Sequence, residues 1–247
     1  MSRAERMALA QEIAAHALSS YQGKLLAVGI YGSLARSADG PYSDIEILCV
    51  LRSKGEDYSY EWSYGPWKAE VNFISADVVL TDAAEVDERW PLTHGAFCHI
   101  LPLYDPEGFF SKLPDLVLSQ PEEKFTSTIK ATIVGELYEW IGKLRNAQHS
   151  GHTAYLPSLA IDMARYGAFI IGLANRHHYS TGSRLLEESL TLPNRPPGYD
   201  ALCRLAITGN LHEPEQTAAA CETFWSGIET WAAARNLSID EPDKIPF

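Results

Sequence analysis

The stretch "GIYGSLARSADGPYSDIEILCV", residues 29–50, decides the fold. It sets a Gly-Ser turn after an apolar run, an arginine one turn later, and two carboxylates one residue apart inside a second apolar run. In an extended strand, residues two apart face the same way. Asp44 and Glu46 therefore share one face, and Ile45 and Ile47 pack on the other. Two carboxylates so placed repel each other unless a proton or a cation intervenes, and burying them unpartnered is costly. Mg²⁺ takes one or two carboxylates together with phosphate oxygens, so the pair predicts a metal-assisted nucleotidyl-transfer site. The Gly32-Ser33 turn presents backbone N–H groups and a hydroxyl to phosphate oxygens. Arg36 follows within a turn and neutralises further phosphate charge.

A third acid is expected from a neighbouring strand. The run "WKAEVNF", residues 67–73, alternates, so Lys68, Glu70 and Asn72 share a face opposite Trp67, Ala69, Val71 and Phe73. Glu70 is the natural third metal ligand. Taken singly these features are bland, since a Gly-Ser is usually a turn and a D-x-E usually a solvated strand face. Their combination in this order is what points to chemistry.

Working outward, Met7, Ala10, Ile13/Ala14 and Ala17/Leu18 recur at helical spacing and predict an amphipathic helix over 3–20. Leu25–Tyr31 and Asp44–Val50 read as strands. Tyr60–Tyr64 and Trp67–Ser75 flank Gly65-Pro66 as a hairpin. Asp77–Arg89 reads as a helix and Phe97–Tyr104 as a further strand. After Pro121 the character changes. Residues 122–147, 157–178, 199–208 and 213–235 read as helices, with Leu156-Pro157 and the Pro-rich 193–198 as breakers. The expectation is an α+β chain: a mixed-sheet domain over 1–121 followed by a helical bundle over 122–247.

Composition narrows the partners. Net charge is −12 over 247 residues, and residues 1–121 carry 9 Lys and Arg against 17 Asp and Glu. Such an acidic half lacks the basic stripe that a nucleic-acid partner requires. It suits a polycationic small molecule, although solubility alone also accounts for it. The four cysteines form neither a C-x-x-C nor a zinc spacing and read as reduced, buried thiols. With no run of ~20 apolar residues and a charged N-terminus unlike a secretory signal, a cytoplasmic protein with no membrane partner is expected. The histidine groups (His94, His99; His149, His152; His177, His178) match no metal-site spacing. Trp62, Trp67 and Trp90 read as core aromatics.

The G-S-x(10)-D-h-E-h pattern resembles the nucleotidyltransferase superfamily that includes DNA polymerase beta. More specifically, "YGSLARSADGPYSDIEILCV", "EWSYGPWKAEVNF", "WPLTHGAF", "LPSL", "GYDALC" and "IPF" resemble, nearly end to end, the kanamycin nucleotidyltransferase family of aminoglycoside 4'-O-nucleotidyltransferases. The resemblance implies a nucleotidyltransferase-fold sheet domain before the bundle, and a homodimer with active sites at the subunit interface. It also implies ATP and Mg²⁺ as donor and cofactor, and adenylyl transfer to the 4'-hydroxyl of an antibiotic such as kanamycin or tobramycin. Carried over by motif, Asp44, Glu46 and Glu70 bind metal. Gly32, Ser33, Arg36, Ser43 and Thr181 lie near the nucleotide, and Glu61, Lys68 and Glu136 border the substrate. Glu139, in "GELYEWIGKLRN", matches the catalytic base, and Lys143 a nucleotide-contacting lysine. By its spacing alone, Glu139–Lys143 is an ordinary i,i+4 helix ion pair. One departure concerns specificity: the family's Glu-Glu pair is Gly135-Glu136 here. The competing readings are a nucleotidyltransferase acting on RNA or protein, and a non-catalytic nucleotide-sensing module. The second of these should have lost at least one of the three acids.

Overall fold

The structure is a computed structural model that describes residues 1–53, 57–240, 243 and 245. The last two residues of the "IPF" motif, Pro246 and Phe247, lie outside the described residues. In chain order the elements are α1 (Arg3–Ser20), β1 (Leu25–Ile30), α2 (Gly32–Ala35), β2 (Ile45–Leu51), β3 (Tyr58–Tyr64), β4 (Trp67–Ser75), α3 (Ala76–Ala84), α4 (Trp90–Thr93), α5 (Gly95–Cys98) and β5 (Leu101–Tyr104). There follow α6 (Leu113–Leu118), α7 (Glu122–Thr132), a π-helical turn (Ile133–Leu137), α8 (Tyr138–Ser150), α9 (Leu156–Asn175), α10 (Leu185–Ser189), α11 (Tyr199–Thr208) and α12 (Pro214–Ala233). They form two compact units: Met1–Glu85 with His94–Gln120, and Val86–Thr93 with Pro121–Phe247.

The first unit is built on a five-stranded mixed sheet of order β3-β4-β2-β1-β5. The pair β2/β4 is parallel, while β1/β2, β3/β4 and β1/β5 are antiparallel. Register sets Glu46 opposite Glu70, and Glu70 opposite Glu61. Paired residues share a face, so three acids line up across three adjacent strands. The other face carries Ile45, Ile47, Ala69, Val71 and Phe73, which form one core with Ala10, Ala14 and Ala17 of α1. The small residues of α1 let the helix lie close to the sheet. A capping box starts it: Ser2 Oγ accepts from the Glu5 N–H, and the Ser2 N–H donates to Glu5 Oε2 at 2.7 Å.

A second tie holds the β1–β2 connection. Asp39 is buried and forms ion pairs with Arg6, itself buried, and with Arg3. Burial alone raises the Asp39 carboxyl, but the bonds from Arg6 and Arg3 more than offset it and hold it below its ordinary value. Arg3 also donates to the Leu34 carbonyl at 2.9 Å, so α1 fastens both ends of the loop between the Gly-Ser turn and Asp44.

The second unit is a helical bundle around α9, whose Leu159, Ala160, Met163, Ala164, Ala168, Ile170 and Ile171 are buried. By length and composition this helix could cross a membrane, but 67% of its apolar window is buried in the bundle. Glycines on α9 permit close crossings: a Cβ at Gly167 would stand 2.7 Å from Tyr199 and Phe224, and one at Gly172 only 2.5 Å from Pro91. Trp90 is edge-on to Phe125, with ring centroids 4.9 Å apart, and lies 4.1 Å from the His178 ring, which brings Val86–Thr93 into this unit.

Several local expectations are corrected. The helix expected over 77–89 stops at Ala84, since Trp90 buries as part of a separate turn. The strand expected from Phe97 begins at Leu101; Gly95–Cys98 is helical. The break at Leu156-Pro157 is present: α8 ends at Ser150, and Pro157 sits in the first turn of α9, where its missing N–H has no intrahelical partner to lose. The helix over 122–147 is interrupted by the π turn, which apolar spacing alone does not reveal. α9, finally, meets the length and composition of a span that the sequence reading did not find.

Asp39→Ala is expected to destabilise the first unit by about 3–5 kcal/mol, because it leaves Arg6 buried and unpaired. With its folded-state value depressed, Asp39 contributes stability above about pH 4 that is lost as the pH falls through that value. Urea unfolding between pH 3 and pH 7 checks both. A variant as stable as wild type at pH 7 contradicts the clamp.

Candidate nucleotidyl-transfer site

The site on the first unit starts from a backbone constraint. β1 delivers the chain into Gly32, which has φ +70°, a conformation open to glycine. A methyl group at Gly32 would overlap the Glu46 carboxylate, its carbon 2.5 Å from Glu46 Cδ. Glycine thus lets a carboxylate lie directly on the turn, where the Ser33 backbone N–H bonds it.

Glu46 is half-buried on β2, and Asp44 stands just before that strand. The Glu46 carboxyl is pushed up to about 7, first by burial, then by the charges of Asp44 and Glu70; Arg36 and the Ser33 N–H pull the other way and do not win. This is excess negative charge at the mouth of the Gly32-Ser33 turn, which a cation would offset. Among the described residues no three His, Cys, Asp or Glu side chains converge as a closed metal cage. The donor set fits a divalent ion that keeps one or two carboxylates and fills its other positions with phosphate oxygens and water.

Glu70 stands opposite Glu46 across the β2–β4 pair. Its Oε1 accepts from Asn72 Nδ2 at 2.7 Å and lies 3.5 Å from the Tyr31 hydroxyl. Glu61 and Lys68 form an ion pair along the same row, each about half exposed, and Glu61 raises the Lys68 ammonium. The Ser43 hydroxyl is engaged locally, accepting from the Gly40 N–H at 2.9 Å. An apolar cavity beside the acidic row meets it at Glu61. That cavity, about 440 Å³, is lined by Ala17, Tyr60, Trp62 and Phe73 on the α1 side of the sheet.

In the second unit the π turn precedes the residues expected to act as base. Glu136, within it, accepts a hydrogen bond from the Tyr166 hydroxyl. Glu139, exposed in the next turn, pairs with Lys143 at 2.5 Å, and the Lys143 ammonium lies 4.3 Å from the Trp140 ring centroid. Gly135 and Glu136 line a cleft of about 300 Å³ with Asp87, Glu88, Thr128 and Thr132. Thr181 precedes a short turn, its hydroxyl 3.4 Å from that of Ser183.

Gly32, Ser33, Arg36, Asp44, Glu46 and Glu70 are thus brought together in one unit, and Glu136, Glu139 and Lys143 lie on successive turns of one helical segment in the other. Sequence reasoning missed Tyr31 and the Asp39 clamp. Asn72 was legible as a face-mate of Glu70, but Tyr31 faces it only once β1 and β4 share a sheet.

A mixed sheet with a Gly-Ser turn and a row of acids defines the nucleotidyltransferase class. A crystal structure of a nucleotidyltransferase-like protein from Exiguobacterium sibiricum has the same fold, with a TM-score of 0.55 at 12% identity over 92% of this chain and 76% of that one. Residues 107–238 match the family model of the KNTase C-terminal domain. Two relatives, each named aminoglycoside nucleotidyltransferase (4'), from Bacillus sp and Staphylococcus aureus, are 42% identical over all 247 residues and 98% of their own length. The chain belongs to the aminoglycoside nucleotidyltransferase (4') family and is an enzyme.

Because the Glu46 carboxyl is raised in the fold, its contribution is fully present below about pH 4.3 and is lost as the pH rises through about 7. Glu46→Gln removes that loss. Without metal, the variant should therefore gain thermal stability over wild type increasingly from pH 5 to pH 8. A pH-independent difference in unfolding temperature would contradict the crowding of charge.

Proposed function

We propose that the enzyme transfers AMP from ATP to the 4'-hydroxyl of a kanamycin- or tobramycin-type aminoglycoside, releases pyrophosphate, and so confers resistance to the antibiotic. The observation that carries this is the half-buried, charge-crowded Glu46 seated on the Gly32-Ser33 turn beside Asp44, in a chain 42% identical to two aminoglycoside nucleotidyltransferases (4').

In this reading the sugar hydroxyl attacks the α-phosphorus in line, and pyrophosphate leaves. Asp44 and Glu46, with Glu70, would hold Mg²⁺, which would supply charge neutralisation at the phosphate oxygens. Ser33 and Arg36 bind phosphate oxygens, with Ser43 and Thr181 near the nucleotide. Lys143 stabilises the departing group. Glu139 accepts the hydroxyl proton, a contribution typically worth about 10²–10⁴-fold. Glu61, Lys68 and Glu136 border the acceptor, and the acidic row attracts its ammonium groups. Several such contacts are needed, since an exposed pair contributes only about 0–1 kcal/mol. The working form in this proposal is a cytoplasmic homodimer with its active sites at the subunit interface, with neither nucleic acid nor membrane as partner. Retention of Asp44, Glu46 and Glu70 supports catalysis over a nucleotide-sensing role, and the net charge of −12 favours a cationic acceptor over RNA.

Pyrophosphate release should require ATP, Mg²⁺ and kanamycin or tobramycin together. Release driven by tRNA, or labelling of the protein itself, would point to the rival acceptors. Asp44→Asn should abolish transfer. Glu139→Gln should lower kcat by about 10²–10⁴-fold while nucleotide binding, measured by calorimetry, stays near wild type. Near-normal turnover of Glu139→Gln removes this residue from the base role.

A further inference from the structure

We infer that Tyr31 and Asn72 are positioning residues that hold the Glu70 carboxylate toward Glu46, an assignment that rests on the nucleotidyl-transfer reading above. The three side chains close a ring. Asn72 Nδ2 donates to Glu70 Oε1 at 2.7 Å and to the Tyr31 hydroxyl at 2.8 Å, and the Tyr31 O–H reaches Oε1 at 3.5 Å. One amide nitrogen thus spends both hydrogens on fixing a carboxylate and its second donor. With Oε1 engaged, Oε2 remains for a cation.

The ring is anchored at both ends of the site. The Tyr31 N–H donates to the Glu46 carbonyl at 3.0 Å, and Tyr31 directly precedes Gly32 with its positive φ. Asn72 sits opposite Leu48 in the β2–β4 register, two pairs beyond Glu46 and Glu70, with the Ile47–Val71 pair between them. Behind Tyr31 and Asn72 is an apolar cavity of about 160 Å³, lined also by Leu48, Ile74, Phe97 and Ile100. Polar groups at such a boundary bond more strongly than in water. Burial and the charges of Glu70 and Glu46 raise the Tyr31 phenol, which keeps it a donor.

The device has a competitor. Lys68 lies two residues before Glu70 on the same face and already pairs with Glu61. Its ammonium also feels the Glu70 charge. A Glu70 freed from Asn72 is drawn toward Lys68 and away from Glu46. The Tyr31–Asn72 pair therefore keeps the third acid on the metal side of the row.

The test compares Asn72→Leu, Asn72→Asp, Tyr31→Phe and the Tyr31→Phe/Asn72→Leu double variant. Mn²⁺ binding is followed by electron paramagnetic resonance with a non-hydrolysable ATP analogue present, beside kcat and the KM for kanamycin. Asn72→Leu should weaken Mn²⁺ binding and lower kcat by about 10–100-fold while the kanamycin KM moves by less than about twofold. Asn72→Asp, though isosteric, should be at least as damaging, because it cannot donate and adds a like charge. The double variant should equal Asn72→Leu, since both residues act through one carboxylate. Wild-type Mn²⁺ affinity in Asn72→Asp, or additive losses in the double variant, overturns the assignment. If Asn72→Leu does not fold, Asn72→Asp and Tyr31→Phe decide it. Absence of aminoglycoside transfer by the wild type strikes the functional reading instead, and the Mn²⁺ comparison separates the two failures.

Discussion

The first unit turns on a carboxylate lying against a backbone. Glu46 occupies the space a side chain at residue 32 would take, so residue 32 is glycine and adopts a positive φ. The turn, the strand and the acid are one constraint. It forces the Ser33 N–H toward negative charge, and it crowds Asp44 and Glu70 around a group whose carboxyl is already raised by burial. A site that stores unfavourable charge in the absence of ligand gains most when a cation and its phosphate arrive. Fold stability and ligand affinity are opposed here, which is a usual consequence of a preorganised site.

Stability is recovered away from the acids. The Asp39–Arg6–Arg3 cluster fastens the connection between turn and strand to α1, and the apolar face of the sheet closes on the alanine stripe of the same helix. One face of the sheet thus carries the core and the other the chemistry, divided by the two-residue period of the strands. The second unit solves a different problem. α9 is mostly apolar and packs neighbours around all but its Ser158–Ile161–Arg165 edge, at close range at Gly167 and Gly172. The π turn on the adjoining segment carries Gly135 and Glu136 just ahead of Glu139. Such turns often occur at functional positions.

The elements that carry strong periodicity were legible. Helices 3–20 and 199–208 and strands 45–51 and 67–75 follow from apolar spacing and turn residues, and the shared face of Lys68, Glu70 and Asn72 follows from alternation. What the pattern concealed has physical causes. Trp90 was legible as a core aromatic, but its partners Phe125 and His178 lie 35 and 88 residues away, beyond any local spacing. A π turn has nearly the apolar spacing of an α-helix, so composition does not betray it.

By itself the sequence pointed to the chemistry: two carboxylates one residue apart on a strand, after a Gly-Ser turn and an arginine, are the pattern expected of a metal-assisted nucleotidyl-transfer site, because like charges so placed repel unless solvent, a proton or a cation intervenes. It also determined which face each acid occupies, because a strand alternates. Only the tertiary structure decided the row Glu46–Glu70–Glu61, since register between separate strands depends on how both pack on α1. It alone joined Tyr31 to Asn72 across 41 residues of chain and Asp39 to Arg6 across 33. Those contacts are long-range polar pairs, whose partners no local spacing identifies.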